Sequence, residues 1–253
     1  MLIKEKLDQA KAILDEYSID CWITFVRESG MMRDPMMDFL CPADMTWHSA
    51  FIVSRSGGTC AIIGQMEKQT IDEMEVYGRV IGYVEGVKGD LLAYLKELDP
   101  ATIAINYSEG SEVCDGLTHG MYLTLKGMLA EIGYDKRLVS AEKVTSSLRA
   151  RKTPTEIERM QTAINHTIDI YSMLADFIQP GQPEKEIAAF TRAEIESRGL
   201  GYAWDPHHCP AVFTGPDTAG AHYQPTDRVV ERGHILNMDF GVKFEDYVSD
   251  MQR

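Results

Sequence analysis

Apolar positions along this chain switch between a helical and an extended period, and the switches outline its elements. Ile3, Leu7, Ala10, Ile13, Leu14 and Tyr17 recur at helical spacing with Lys and Glu between them, which predicts an amphipathic helix. The next apolar run, Cys21–Val26, is short and continuous and predicts a buried strand. A loop rich in Met, Pro and Asp occupies residues 28–47. Residues 49–55 and 59–63 predict two strands joined through Ser56-Gly57-Gly58, a turn-forming triplet. Further strands at 79–84 and 102–106 alternate with helices near 67–77, 89–98 and 117–132. Strands interleaved with helices predict an α/β (α+β) architecture with a mixed sheet.

The pattern changes near residue 150. Residues 140–148 predict a short helix, and Arg149-Ala150-Arg151-Lys152 forms a basic, exposed patch. Thr153 is a cap candidate and Pro154 a first helical residue for a long second helix. Its expected apolar face is Ile157, Met160, Ile164, Ile168, Tyr171, Leu174 and Ile178. Gln179-Pro180-Gly181 stops it, and Pro183-Glu184-Lys185-Glu186 opens another helix with Ile187, Phe190 and Ile195 on one face, ending at Gly199. Strands follow at 211–214, 234–242 and 247–251. Two domains, 1–148 and 149–253, are expected.

Charge narrows the partners. With 39 acidic and 25 basic residues the net charge is -14, a surface that repels phosphate backbones and anionic lipid, so neither nucleic acid nor membrane is expected as a partner. The five cysteines are scattered and form no C-x-x-C pair, which fits reduced thiols. The chain opens directly into a charged helix, and no apolar run approaches the ~20 residues of a membrane span. A cytoplasmic location is expected. No glycine-rich phosphate loop sits at a strand–helix junction, which disfavours a nucleotide site.

Candidate chemistry gathers near the end. Two β-like runs flank a short polar turn between Gly233 and Asp250. With Phe244-Glu245 as a two-residue loop, Lys243 opposes Asp246 and Asp239 stands directly opposite Asp250, Cβ atoms ~5 Å apart. Like charges so opposed among apolar neighbours destabilise a sheet unless one is protonated or a cation binds. A pair of divalent ions ~3.5–4 Å apart is the natural occupant, and a segment with oxygen donors and no thiolate suits Mn, Mg, Fe, Co or Zn. The competing reading places one Asp at a strand end and the other in a turn, since the spacing alone is common among 39 acids. His222 lies among small, turn-forming residues between Gly215 and Asp227. There it is suited to hydrogen-bond a substrate carbonyl or shuttle a proton, although a lone loop histidine is more often an ordinary surface residue.

In order along the chain, Arg151-Lys152-Thr153-Pro154-Thr155-Glu156-Ile157, Pro180-Gly181 with Glu184, His222, and Asp239-Phe240-Gly241 followed by Ser249-Asp250 resemble the M24-type pita-bread metallopeptidases. That family comprises Xaa-Pro aminopeptidases, prolidases, methionine aminopeptidases and creatinases. The resemblance runs from about residue 149 to the end. The first 148 residues are similar in layout to the creatinase/prolidase-like N-terminal domain, which methionine aminopeptidases lack. The implied fold is that α/β domain followed by the first half of a pita-bread catalytic domain. By the resemblance, Asp239 corresponds to the terminal metal ligand, Asp250 to the ligand bridging two metals, and His222 to the histidine that contacts the scissile peptide. Two divalent ions (Mn, Co, Zn or Fe), a peptide substrate with proline second, and a homodimer are implied with them. His207 and His208 match no motif position, and Gln252 stands where the family commonly has Thr.

The family's remaining ligands, one His and two Glu, lie downstream of the second Asp, whereas the chain ends at Arg253. The expectation is half a site, which binds metal weakly and does not catalyse hydrolysis alone. An end inside a strand reads as a truncated fragment, a split gene or an incomplete record. The expected function is a dinuclear Xaa-Pro aminopeptidase or dipeptidase. The alternatives are a creatinase-type C–N hydrolase of the same fold, which retention of both aspartates disfavours, and an inactive binding or assembly module.

Overall fold

The computed structural model describes residues 2–215 and 223–253. They form two compact units, Met1–Thr153 and Pro154–Arg253. Among the described residues no helix is long and apolar enough to cross a membrane.

The first unit runs α1 (Leu2–Glu16), β1 (Cys21–Val26), α2 (Met37–Leu40), β2 (Ser49–Ser54), β3 (Thr59–Gly64), α3 (Lys68–Asp72), β4 (Arg79–Tyr83), α4 (Val87–Leu98), β5 (Ile103–Ile105), α5 (His119–Ala130), β6 (Leu138–Ser140) and α6 (Glu142–Ala150). Its six-stranded sheet has the order β4-β3-β2-β1-β5-β6. The β1/β2 and β2/β3 pairs are antiparallel, and β3/β4, β1/β5 and β5/β6 are parallel. The sheet is therefore mixed, as the interleaved elements predict. Every residue of β1, β2 and β3 is buried, because helices cover both faces and a doubly covered strand reads as a continuous apolar run. Leu7, Ala10 and Leu14 of α1 with Val144 and Leu148 of α6 pack on Trp22, Phe51 and Val53. Leu91 and Leu95 of α4 with Leu125 and Leu129 of α5 pack on Ile23, Ile52 and Ile62. The helix expected over 67–77 is cut to a 3-10 turn and the short α3, since the chain turns left-handed at Glu75 (φ 53°).

The second unit comprises α7 (Pro154–Phe177), α8 (Glu184–Ser197), β7 (Gly201–Tyr202), β8 (Ala211–Thr214), β9 (Leu236–Phe240), β10 (Val242–Phe244), β11 (Tyr247–Val248) and β12 (Met251–Gln252). Two three-stranded sheets, β11-β10-β7 and β12-β9-β8, share its core with the two helices. The helices bury Ala163, Ile170, Leu174, Ile187, Ala188 and Ile195 against Val212, Met238, Phe240 and Val242. Here the expected face of α7 is corrected. Its buried stripe is Ala163, Thr167, Ile170 and Leu174, while Ile157 and Ile168 are exposed. Small Ala163 lets the helix approach the strands closely, and Thr167 is buried because its hydroxyl has a partner, Ser249, in the link that precedes β12.

Candidate metal centre

The two aspartates lie on the antiparallel strands β9 and β12 and the link that precedes β12. Lys243 pairs with Val248 and Phe244 with Tyr247, so the turn residues are Glu245 and Asp246, both left-handed (φ 45° and 66°). Such a pair of left-handed residues suits the right-handed twist of a two-residue hairpin. This corrects the register expected from a Phe244-Glu245 loop. Asp239 faces Gln252, and Phe240 faces Met251, so Asp239 and Asp250 are not directly opposed. The displacement is by two residues, which preserves the side-chain alternation, so the carboxylates are diagonal neighbours, ~7–8 Å between Cα atoms in a regular ladder.

Their electrostatics follow from that placement. Asp239 is half-buried and Asp250 exposed. Burial raises the Asp239 carboxyl above its ordinary value of 3.8, and the nearby Asp250 charge raises it further. The Asp239 Oδ1 is buried and has no hydrogen-bond partner. A buried oxygen left unpaired costs about 1–3 kcal/mol, a cost that a bound cation would offset. Two carboxylates with one orphaned oxygen form a hard-oxygen donor set that fits a divalent cation. Among the described residues no group of three or more His, Cys, Asp or Glu converges to hold a metal ion, so this pair supplies part of a ligand set.

Gly241 makes this strand geometry possible. A Cβ at that position would lie 1.8 Å from the Ser249 carbonyl oxygen and 2.6 Å from its carbonyl carbon. The glycine of Asp239-Phe240-Gly241 thus serves close backbone approach beside Asp250.

His222 lies outside the described residues. Glu184, at the start of α8, is fully buried and gathers the chain on both sides of it. Its carboxylate accepts from the Thr214 N–H (2.8 Å) at the end of β8. It also accepts from the Tyr223 hydroxyl (3.0 Å), the Thr226 N–H (2.9 Å) and the Thr226 hydroxyl (2.7 Å). The acidic position three residues after Gly181 was visible in the sequence, but its partners were not. His207 and His208 lie in the turn after β7, where Asp205 accepts from both of their backbone N–H groups.

Residues 158–253 match the profile of "Metallopeptidase family M24". The chain is 28% identical to a putative Xaa-Pro aminopeptidase of Mycoplasma pneumoniae, over 58% of this chain and 42% of that protein. It is 23% identical to an uncharacterized peptidase of Staphylococcus saprophyticus, over 98% of this chain and 65% of that one. In structure it is similar to the X-Pro aminopeptidase of Thermotoga maritima, with TM-score 0.61 and 21% identity over 98% of this chain and 64% of that one. A putative aminopeptidase P from Bacillus anthracis superposes with TM-score 0.69 and 16% identity, again over 98% and 64%. The chain thus spans under half the length of the Mycoplasma relative and about two thirds of these structures. The shared fold is an α/β domain with a mixed sheet followed by part of a pita-bread domain.

Proposed function

We propose that the chain is part of a metallopeptidase of family M24, whose profile residues 158–253 match, and within that family part of a dinuclear Xaa-Pro aminopeptidase or dipeptidase. The observation that carries the metal-site reading is the buried, unpartnered Asp239 Oδ1 beside Asp250. Asp239 and Asp250 would both be ligands to the ions. Divalent ions held there (Mn, Co, Zn or Fe) would supply Lewis acidity toward a peptide carbonyl and toward the attacking water. His222 hydrogen-bonds the scissile carbonyl and stabilises the charge that develops on its oxygen. The substrate is a peptide with proline second, and the assembly a homodimer.

Two carboxylates fall short of the ligands that two ions need, so activity belongs to the full-length protein. That protein, reconstituted with Mn2+, Co2+ or Zn2+, is expected to cleave Xaa-Pro peptides. Asp239→Asn and Asp250→Asn are expected to abolish cleavage while the fold persists. Intact Xaa-Pro peptides under all three metals would sink the proposal.

A further inference from the structure

Helix α7 reaches the strands that carry both aspartates through two hydroxyl groups one turn apart. Thr167 and Tyr171 stand at i and i+4, on one face of the helix. The Thr167 Oγ1 lies 2.6 Å from the Ser249 Oγ and donates to the Ala163 carbonyl at 3.1 Å. The Ser249 Oγ accepts from the Val242 N–H at 2.9 Å. A hydrogen-bonded chain thus runs between Val242, Ser249, Thr167 and the Ala163 carbonyl. The Tyr171 hydroxyl lies 3.0 Å from the Met238 carbonyl oxygen and 2.9 Å from that of Met251. The Tyr171 ring also packs on Phe240, centroids 4.5 Å apart.

The residues so held are the chain neighbours of the two carboxylates. Asp250 stands between Ser249, tied to Thr167, and Met251, tied to Tyr171. Asp239 stands between Met238, tied to the same phenol, and Phe240, under its ring. Neither hydroxyl touches a carboxylate. Because the paired strands are interrupted at Gly241 and at Ser249–Asp250, the ladder alone does not define their separation. Resting on the metal-site reading above, we propose that Thr167 and Tyr171 are positioning residues that hold Asp239 and Asp250 at the spacing a divalent cation requires.

The test is Mn2+ binding to the full-length protein, followed by the loss of the free-ion spin-resonance signal. Weak protein sites for hard divalent cations bind at about 10⁻⁴–10⁻³ M. Removing a group that orients metal ligands typically costs tenfold or more in affinity. Tyr171→Phe, which keeps the ring on Phe240, and Thr167→Val are each expected to weaken Mn2+ binding about tenfold. Thr167→Ser restores the hydroxyl and is expected to bind like the parent. Thr191 is another buried threonine whose hydroxyl donates to the carbonyl four residues earlier, at 3.0 Å on α8. Thr191→Val is expected to lower stability and leave Mn2+ affinity unchanged, separating positioning from general destabilisation. Should Thr167→Val not fold, Tyr171→Phe carries the test. Parent-like affinity in Tyr171→Phe and Thr167→Val, with binding lost in Asp239→Asn, overturns the positioning role and leaves the metal site standing. No Mn2+ uptake by the parent at ~10 mM, well above that affinity range, overturns the metal site and the positioning role with it.

Discussion

Replacing Gly241 by alanine adds one methyl group where the Ser249 backbone approaches closely. The new Cβ would sit 1.8 Å from the Ser249 oxygen, against a limit of 3.0 Å that real Cβ atoms essentially never cross, so the strands must part by about 1.2 Å. The neighbour is backbone, and the Ala203 Cβ closes the other side at 2.9 Å, so no side chain can swing away. Gly241 is not among the left-handed positions, which makes the penalty one of contact rather than dihedral strain. Parting the strands breaks the Ser249 N–H bond to the Val242 carbonyl (3.0 Å) and the Val242 N–H bond to the Ser249 hydroxyl (2.9 Å). Both residues are buried, and a buried donor left unpaired costs about 1–3 kcal/mol. The expected loss is therefore about 2–6 kcal/mol, comparable with the whole stability of many domains. Urea unfolding measures the total, and hydrogen exchange at the Val242 and Ser249 amides locates it. Gly89→Ala, in α4 with nothing within 4 Å of its Cβ, is the control and is expected to be neutral or to gain up to about 1 kcal/mol. A Gly241→Ala protein within about 1 kcal/mol of the parent, with both amides still protected, would refute the steric argument.

Glu184→Ala removes the acceptor for two backbone and two hydroxyl donors. It is expected to cost about 3 kcal/mol in urea unfolding, and a loss under about 1 kcal/mol would contradict that role. Asp34 supplies a pH test in the first unit. Burial is the largest cause raising its carboxyl above 3.8, opposed by hydrogen bonds from Asn106 and the Met36 N–H. The native state then holds the proton more tightly than the unfolded one. This contribution to stability is full below 3.8 and lost as pH rises through the raised value. Asp34→Asn is expected to abolish that slope in urea midpoints taken from about pH 3 to 7, and an unchanged slope would show that other groups produce it. Trp22→Phe deletes the indole N–H bond to the Asn106 Oδ1, 2.7 Å long and buried. It is expected to destabilise the first unit by about 1–3 kcal/mol in thermal or urea unfolding, and no measurable loss would count against that network.

Local pattern carried far in this chain because burial is periodic where a single face or both faces are covered. The buried strands β1, β2 and β3, the hairpin through Ser56-Gly57-Gly58, and the stop of α7 before Pro180-Gly181 were legible for that reason. So was the class of architecture. β6 and β7 were not legible, since strands of three and two residues leave too little alternation to read. The register of the terminal hairpin was not legible either. Loops at 244–245 and 245–246 both satisfy local turn chemistry, and the choice lies in which residues adopt left-handed backbone. The buried face of α7 shows the same limit. Sequence spacing favoured its large isoleucines, but close approach to the strands selected Ala163 and the bonded hydroxyl of Thr167.

By itself the sequence determined the layered α/β elements, the acidic character and the order of the chemistry-bearing residues, because these depend on composition and short-range period. The tertiary structure decided the diagonal placement of Asp239 and Asp250, the burial of one carboxylate oxygen, and the ties from Thr167, Tyr171 and Glu184. The diagonal placement follows from the pairing of Asp239 with Gln252, whereas the ties join residues 30 to 82 positions apart, and no local pattern encodes which distant donor meets which acceptor.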